Sequence, residues 1–256
     1  MKYIVSARTN KGIKKNNNQD AVTIKTARTA IGDVAFAVLC DGMGGLSEGE
    51  IASATVVSEF SNWFYQIFPK QILADNFSDN LFSTWDEIIK KCNVKLHEYG
   101  LKNGIKLGTT CSVLLVMPNY YFIAHVGDSR IYTITNQKVS LLTEDQTFVA
   151  REVKEGRMTK ADAEIDARKN VLLQCIGASN IVKPDFLTDS YTPGIVFMLC
   201  SDGFRHLLTE KEIFDSYMPD SITDSSIINK NSDYLIDVNM NRGEEDNITV
   251  AVIKTI

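Results

Sequence analysis

Apolar and polar positions along the chain predict many short strands, most of them joined in hairpins. The apolar runs are of strand length and are bounded by Gly, Asn, Asp or Pro. Because strand and helix do not alternate regularly, the pattern favours antiparallel sheets with helices packed outside them. The predicted strands cover residues 2–7, 21–26, 34–40, 110–117, 120–126, 129–135, 138–142, 195–200 and 248–253.

Two longer stretches have the period of amphipathic helices. The first follows a capping-box pattern, Ser47 to Glu50, and is expected to run to about residue 68, where Pro69 would end it. The second is expected over residues 79–99. The remaining elements are a helix from a second capping box near residue 210, short helices in a charged insert over 144–174, a polar loop over 221–232 and a short helix over 233–241.

Three aspartates stand at the ends of apolar runs that are far apart in the sequence. Asp41 follows the run over 34–40 and precedes a glycine, Asp202 follows the run over 195–200, and Asp246 precedes the last strand. A glycine after such an aspartate lets other backbone approach closely. The three aspartates are therefore predicted to form one cluster of oxygen ligands for a divalent metal, the alternative being that each merely caps its strand.

Composition narrows the class of protein. The chain has 256 residues, a net charge of −5, 44% apolar and 23% charged residues, which is ordinary for a globular protein and argues against nucleic acid as a partner. No run approaches the roughly 20 apolar residues of a membrane span. Five cysteines without a CxxC pair are typical of reduced thiols in a cytoplasmic protein. Cys40 and Cys200 are poor zinc candidates, because Cys40 should face away from its neighbour Asp41.

The predicted cluster favours magnesium or manganese over zinc. Carboxylates and backbone carbonyls suit these hard cations, and the three histidines show no paired spacing. Converging carboxylates repel one another unless cations lie between them. Two divalent ions about 3.5–4 Å apart would meet that need and could hold a bridging water, which is suited to in-line attack on phosphorus.

Eight motifs occur in a fixed order along nearly the whole chain. Together they give a specific resemblance to one protein family. The sequence resembles the bacterial branch of the metal-dependent serine/threonine phosphatases of the PPM (type 2C) family. The matching segments are residues 12–21, Val38-Leu39-Cys40-Asp41-Gly42-Met43-Gly44-Gly45, Gly108-Thr109-Thr110, Val126-Gly127-Asp128-Ser129-Arg130, Leu142-Thr143-Glu144-Asp145-Gln146, Gln174-Cys175-Ile176-Gly177, Cys200-Ser201-Asp202-Gly203 and Asp246-Asn247-Ile248-Thr249.

The resemblance implies a fold and an activity. The fold would be α+β, with two stacked antiparallel β-sheets flanked by α-helices, as a single domain over residues 1–256 with a flap at about 145–174. The activity would be hydrolysis of phosphoserine and phosphothreonine by the metal-bridging water. The partners would be phosphorylated proteins, themselves substrates of a serine/threonine kinase. The helix faces favour a monomer. Neither a membrane nor a nucleic-acid partner is expected.

The resemblance also assigns site residues. Asp41 would bridge two Mn²⁺ or Mg²⁺ ions, with the Gly42 carbonyl beside it. Asp202 and Asp246 would complete the first ion's shell, and Asp20 would lie in or just behind it. Asp128, otherwise a hairpin-turn residue, would bind a third, weaker ion together with Asp202.

Three positions depart from the family pattern. Gln19 stands where a glutamate is frequent, which would weaken the second metal. Lys15 stands where an arginine usually grips the substrate phosphate, and it lacks the two-pronged geometry of guanidinium. Lys14 or Arg8 are alternatives for that role. Met43 replaces a histidine proposed as general acid in animal relatives.

These departures leave two alternatives to an active protein phosphatase. One is an inactive or weak protein of this fold that binds partners, and the other is a hydrolase of small phosphoesters. The charges of the flap could steer phosphopeptides or could simply be solvated.

Overall fold

The computed structural model describes residues 3–43 and 48–256. Within them the chain forms ten strands, eight α-helices and one short 3-10 helix at Pro219–Ser221. The strands are β1 (Tyr3–Asn10), β2 (Ala21–Thr29), β3 (Gly32–Cys40), β4 (Cys111–Met117), β5 (Tyr120–Val126), β6 (Arg130–Ile134), β7 (Val139–Leu141), β8 (Asp185–Ser190), β9 (Val196–Cys200) and β10 (Ile248–Thr255). The helices are α1 (Gly49–Gln66), α2 (Phe68–Gln71), α3 (Phe77–Asn103), α4 (Phe148–Lys154), α5 (Lys160–Ile165), α6 (Asp202–Arg205), α7 (Glu210–Tyr217) and α8 (Ser225–Asn241).

The strands form two five-stranded antiparallel sheets. Sheet A has the order β1-β10-β9-β6-β7 and sheet B has the order β2-β3-β4-β5-β8. Helices α1 to α3 cover the outer face of sheet B, and α7 and α8 cover that of sheet A. The predicted sandwich of two sheets between helices is therefore confirmed.

Alternation along each strand separates the core into three apolar clusters. On β3, Val34, Phe36 and Val38 pack against the helices over sheet B. Ala35, Ala37 and Leu39 face the other way and pack against sheet A. Because side chains on a strand point alternately to opposite faces, a strand buried on both sides needs the continuous apolar run that β3 has.

Two features of the first helix differ from the sequence prediction. Helix α1 ends at Gln66, and Pro69 lies in the first turn of α2, where the missing N–H of proline costs no hydrogen bond. The N-cap of α1 is Glu48, whose side chain makes no capping bond, so the helix begins one residue later than the predicted capping box. Its Ser47, together with Gly44 and Gly45 of the glycine motif and Lys2 of the first strand, lies outside the described residues.

The C-terminal half contains two further corrections. Residues 225–232 were predicted to be a loop but belong to α8, because the Asp224 side chain caps the helix through the Ser226 N–H and Ile228 is fully buried. Strand β8 was not predicted, since its residues are mostly exposed and polar and only pairing with β5 makes them a strand. The capping box of Thr209 and Glu212 is confirmed.

The segment predicted as a flap contains α4 and α5, the two short helices expected there. Its boundaries and the single-domain organisation remain predictions. Across residues 3–43 and 48–256, none of the helices combines the length and the hydropathy that crossing a membrane requires.

Candidate active site

The site lies at one end of the sandwich, between the two sheets. On β2, Val22 and Ile24 face the space between the sheets, and Asp20 precedes them at the same two-residue spacing. On β3 the spacing that places Leu39 between the sheets continues to Asp41. Strand periodicity thus directs both carboxylates into the same space.

The backbone of Asp41 is held by the Gly-Thr-Thr motif. The Asp41 N–H donates to the Thr110 hydroxyl over 2.9 Å. The Thr109 hydroxyl and the Thr110 N–H both donate to the Asp41 carbonyl, each over 2.9 Å. These bonds satisfy the Asp41 backbone groups beyond the end of the strand, which leaves its side chain free to face the site.

Gly42 occupies a position that no larger residue could take. A Cβ atom there would collide with the backbone of Gln19 and Gly49. Its N–H donates to the Gln19 carbonyl over 3.1 Å, which joins the Asp41 turn to the loop that carries Asp20. Close backbone approach is therefore the physical reason for the glycine.

Asn247 ties the N-terminal loop to the C-terminal turn and was not singled out by sequence reasoning. Its amide donates to the carbonyls of Lys11 over 2.9 Å and Asn17 over 3.1 Å. Its side-chain oxygen accepts from the Gln19 N–H over 2.9 Å. The signal was present, because Asn247 follows Asp246 within a matching motif, but only the tertiary structure shows its role.

The carboxylates share one electrostatic neighbourhood. Burial raises the pKa of Asp20 to about 7; the nearby hydroxyls of Thr249 and Ser201 oppose the effect, and the charges of Asp202 and Asp246 add to it. Burial also raises the pKa of Asp41 well above its ordinary value, and the neighbouring Asp20 and Asp202 reinforce this. The structure thus brings together aspartates from both ends of the chain, as predicted.

Several of these oxygens have no hydrogen-bond partner. Among the described residues, none donates with normal geometry to either carboxylate oxygen of Asp20 or to Oδ1 of Asp202, and all three oxygens are buried. An unpaired buried carboxylate is costly unless a cation compensates it. The cluster therefore has the chemistry of a divalent-cation site.

The ligand set is open, however. In residues 3–43 and 48–256, no three His, Cys, Asp or Glu side chains close around one point as a ready-made metal cage. Magnesium and manganese commonly keep several waters in their shells. The donor set fits such an ion if backbone oxygen and water supply part of the shell.

Lys15 contacts the cluster through Asp246. Its Nζ lies 2.9 Å from Asp246 Oδ1. Burial opposes the charged form of Lys15, but the bond to Asp246 and the negative charges of Asp246, Asp41 and Asp202 together raise its pKa. Lys14 pairs with the exposed Glu245, and Arg8 pairs with Asp233 of α8. The two alternative cations are thus engaged elsewhere.

Asp128 lies at the edge of the cluster next to Asp202. Burial raises its pKa to about 7, with the charge of Asp202 adding to this and Arg205 opposing it. Arg205 donates to the Asp128 carbonyl over 3.4 Å and contacts Asp145. Asp145 in turn forms a two-pronged bond with Arg130, at 2.8 and 2.7 Å.

The remaining residues considered in the sequence analysis have the following neighbours. Gln19 donates from its amide to Glu50 over 3.2 Å. The sulfur of Met43 lies next to Gly108, as does the thiol of Cys175. His125 is buried, with its ring nitrogens 3.0 Å from the Ser112 hydroxyl and from the Gly127 carbonyl, and the five cysteines are unpaired and buried.

Comparison with known proteins gives a consistent family. The family profile described as protein phosphatase 2C matches residues 10–230. The chain is 33% identical over 253 residues to "Protein phosphatase PhpP" of Streptococcus pneumoniae, which covers 97% of this chain and 96% of that protein.

Solved structures agree with this result. The S. agalactiae serine/threonine phosphatase superposes with a TM-score of 0.84 at 30% identity, over 99% of this chain and 100% of that one. The catalytic domain of the phosphatase PstP, in complex with two manganese ions, superposes with a TM-score of 0.78 at 25% identity, over 99% of this chain and 98% of that one.

Proposed function

The chain belongs to the protein phosphatase 2C family, and we propose that its buried acidic cluster is the catalytic centre of a metal-dependent serine/threonine protein phosphatase. The observation that carries the assignment is the convergence of Asp20, Asp41 and Asp202, whose buried oxygens include three without a partner in the described residues. The substrates are proteins phosphorylated on serine or threonine. An inactive binding protein is not favoured, because Asp41, Asp202 and Asp246 are all present in the sequence, whereas such a protein is expected to have lost one of them.

Two divalent ions, Mn²⁺ or Mg²⁺, are the proposed cofactors. Asp41 lies at the centre of the cluster, so it is the residue proposed to contact both ions, with the Gly42 carbonyl beside it. Asp202 and Asp246 are proposed to complete the shell of the first ion, with Asp20 in or just behind that shell. When bound, such ions supply an activated water nucleophile and neutralise charge on the phosphoryl group. The manganese complex of the related PstP domain supports this number of ions.

A third, weaker ion is proposed near Asp128 and Asp202. The mutual effect of these two carboxylates supports it, because the charge of Asp202 helps to raise the pKa of Asp128. Arg205 offsets part of that charge, which accords with weaker binding at this position than at Asp41.

Lys15 is proposed to hold the substrate phosphate. Its side chain is about one quarter exposed and its ammonium group lies 2.9 Å from Asp246, so it contacts the cluster while remaining accessible to solvent. A lysine provides a point charge in place of the bidentate grip of arginine. The chain therefore uses charge more than directional hydrogen bonding at this position.

The leaving alkoxide of serine or threonine needs a proton. Met43 lies beside Gly108 and has no proton to donate. The proton must then come from water in the open cleft and not from this side chain. Kinase-linked substrates, a monomeric state and a location in the cytoplasm remain predictions from the sequence.

The proposal is tested by turnover of a phosphothreonine peptide and of p-nitrophenyl phosphate by the full chain. We expect activity with added Mn²⁺, its loss in EDTA, and its loss in Asp41→Ala. Asp215→Ala, at an exposed ion pair on α7, is the matched control and should retain activity. Manganese-loaded wild type without turnover would overturn the proposal, and turnover of the aryl phosphate alone would indicate a small-phosphoester hydrolase.

A further inference from the structure

His206 lies directly after α6 and next to a proposed metal ligand. Its Nε2 is 3.6 Å from Asp202 Oδ2. The two residues are four apart, and the His206 N–H donates to the Asp202 carbonyl over 3.0 Å. One helical turn therefore places the imidazole and the carboxylate on the same face.

The other side of the imidazole faces Glu244. His206 Nδ1 is 3.5 Å from Glu244 Oε2. The second oxygen of Glu244, Oε1, accepts the N–H groups of Glu245 over 2.9 Å and Asp246 over 3.0 Å. The buried Glu244 side chain thus holds the backbone turn that carries Asp246, another proposed ligand.

We propose that His206 and Glu244 are positioning residues that couple Asp202 to the Asp246 turn. Asp202 comes from the start of α6 and Asp246 from the loop before β10, and each ring nitrogen of His206 faces a carboxylate belonging to one of these segments. The inference rests on the proposed function, because it concerns the ligands of the proposed metal centre.

The two carboxylate oxygens of Asp202 have different surroundings, which supports this role. Oδ1 is buried and has no hydrogen-bond partner among the described residues, so it is available to a cation. Oδ2 faces His206. Groups that contact the outer side of a ligand fix its orientation, and removing them costs about 10–100-fold in metal affinity.

Lys15 contacts the same turn by a different route. Its ammonium group meets the Asp246 side chain, whereas Glu244 holds the Asp246 backbone N–H. Loss of His206 therefore leaves the Lys15 contact in place. The expected defect is weaker binding of metal, with Asp246 still paired to Lys15.

The experiment is calorimetric titration of the metal-free full chain with Mn²⁺. His206→Ala should bind Mn²⁺ about 10–100-fold more weakly. His206→Gln, which restores a polar side chain, should recover part of the affinity. His97→Ala, at an exposed position on α3, is the control and should bind like wild type. Phosphatase activity of His206→Ala should recover in excess Mn²⁺, which a misfolded variant would not do.

Glu244→Gln provides an independent arm. It keeps a side-chain oxygen for the backbone N–H groups but loses the charge that faces His206. It should weaken Mn²⁺ binding, and the double variant His206→Ala with Glu244→Gln should bind no more weakly than His206→Ala, because the two residues act together. If His206→Ala does not fold, His206→Gln and Glu244→Gln carry the test.

The outcomes separate this inference from the proposed function. Wild type that binds no Mn²⁺ would overturn both. Wild-type binding with unchanged affinity in the His206 and Glu244 variants would overturn the positioning role alone. Additive losses in the double variant would also overturn it, because they would mean that the two residues act separately.

Discussion

Two sets of buried carboxylates in this protein have opposite electrostatic surroundings. Asp145 receives two hydrogen bonds from Arg130 and contacts Arg205. Burial alone would favour its neutral form, but these cations outweigh it and lower the pKa of Asp145 below its ordinary value. Among the described residues no arginine or lysine pairs with Asp20, and burial raises its pKa to about 7.

The difference shows that burial by itself does not determine how a carboxylate behaves. The charge of Asp145 is compensated within the protein itself, by Arg130 and Arg205. Asp20 and Asp41 are carboxyl groups whose charged form is largely uncompensated by the described residues. Such a group destabilises the metal-free protein, and the compensation is expected from a bound cation.

The largest expected effect comes from neutralising the uncompensated group. Asp20→Asn should lower Mn²⁺-dependent activity about 10–100-fold, because a carboxylate in or just behind the proposed metal shell is lost. The same change should raise the unfolding free energy of the metal-free protein by about 1 kcal/mol or more, since a buried unpaired charge disappears. Activity assays and urea unfolding in EDTA measure the two effects. A destabilised metal-free variant would contradict the comparison.

Neutralising the paired group should do the reverse. Asp145→Asn leaves Arg130 and Arg205 facing an amide, which should destabilise the protein by about 2 kcal/mol after allowance for their partial exposure. Urea unfolding is the measurement. Asp215→Asn breaks an exposed pair with Lys211 and is the control, with an expected loss below about 0.5 kcal/mol. Equal losses of unfolding free energy in both variants would mean that the buried ion pair contributes no more than an exposed one.

The same pair should also impose a pH dependence. Because the folded-state pKa of Asp145 is lowered, its contribution is fully present above the unfolded value of 3.8 and is lost as the pH falls through the folded value. The stability difference between wild type and Asp145→Asn should therefore be constant near neutral pH and shrink below about pH 4. A difference that instead grew on acidification would contradict the assignment.

The smallest expected effect concerns the cation at the open side of the cluster. Lys15→Ala should lower kcat/KM for a phosphothreonine peptide about tenfold, because one charged contact to the phosphate is lost. Lys15→Arg should retain or raise it, since guanidinium can bind phosphate with two prongs. Steady-state kinetics at saturating Mn²⁺ are the measurement. An unchanged Lys15→Ala would remove Lys15 from substrate binding.

Much of the fold could be predicted because most of its strands are recognisable from their own residues. The runs that became β3, β5 and β10 are buried on both faces, so their apolar residues are continuous in the sequence. Strand β8 could not be found in this way, because its mostly exposed residues become a strand only by pairing with β5. The start of α8 was missed for a related reason, since its first turns are polar and are anchored by Asp224 and Ile228.

The candidate site divides in the same manner. The order and spacing of Asp41, Asp202 and Asp246 at strand ends were sufficient to predict an acidic cluster for a divalent metal. The sequence left open which cation meets that cluster. The structure places Lys15 there, on the loop that Asn247 holds, and pairs Lys14 and Arg8 with other residues.

The sequence by itself therefore determined the layered fold, the family and the set of acidic residues, since each is written in local apolar patterns and short motifs. Tertiary structure decided which carboxylates are compensated and which are not. That distinction depends on contacts such as Arg130 with Asp145 and His206 with Asp202 and Glu244. Charge interactions act through space and over short distances, so their outcome depends on the three-dimensional neighbours of each group.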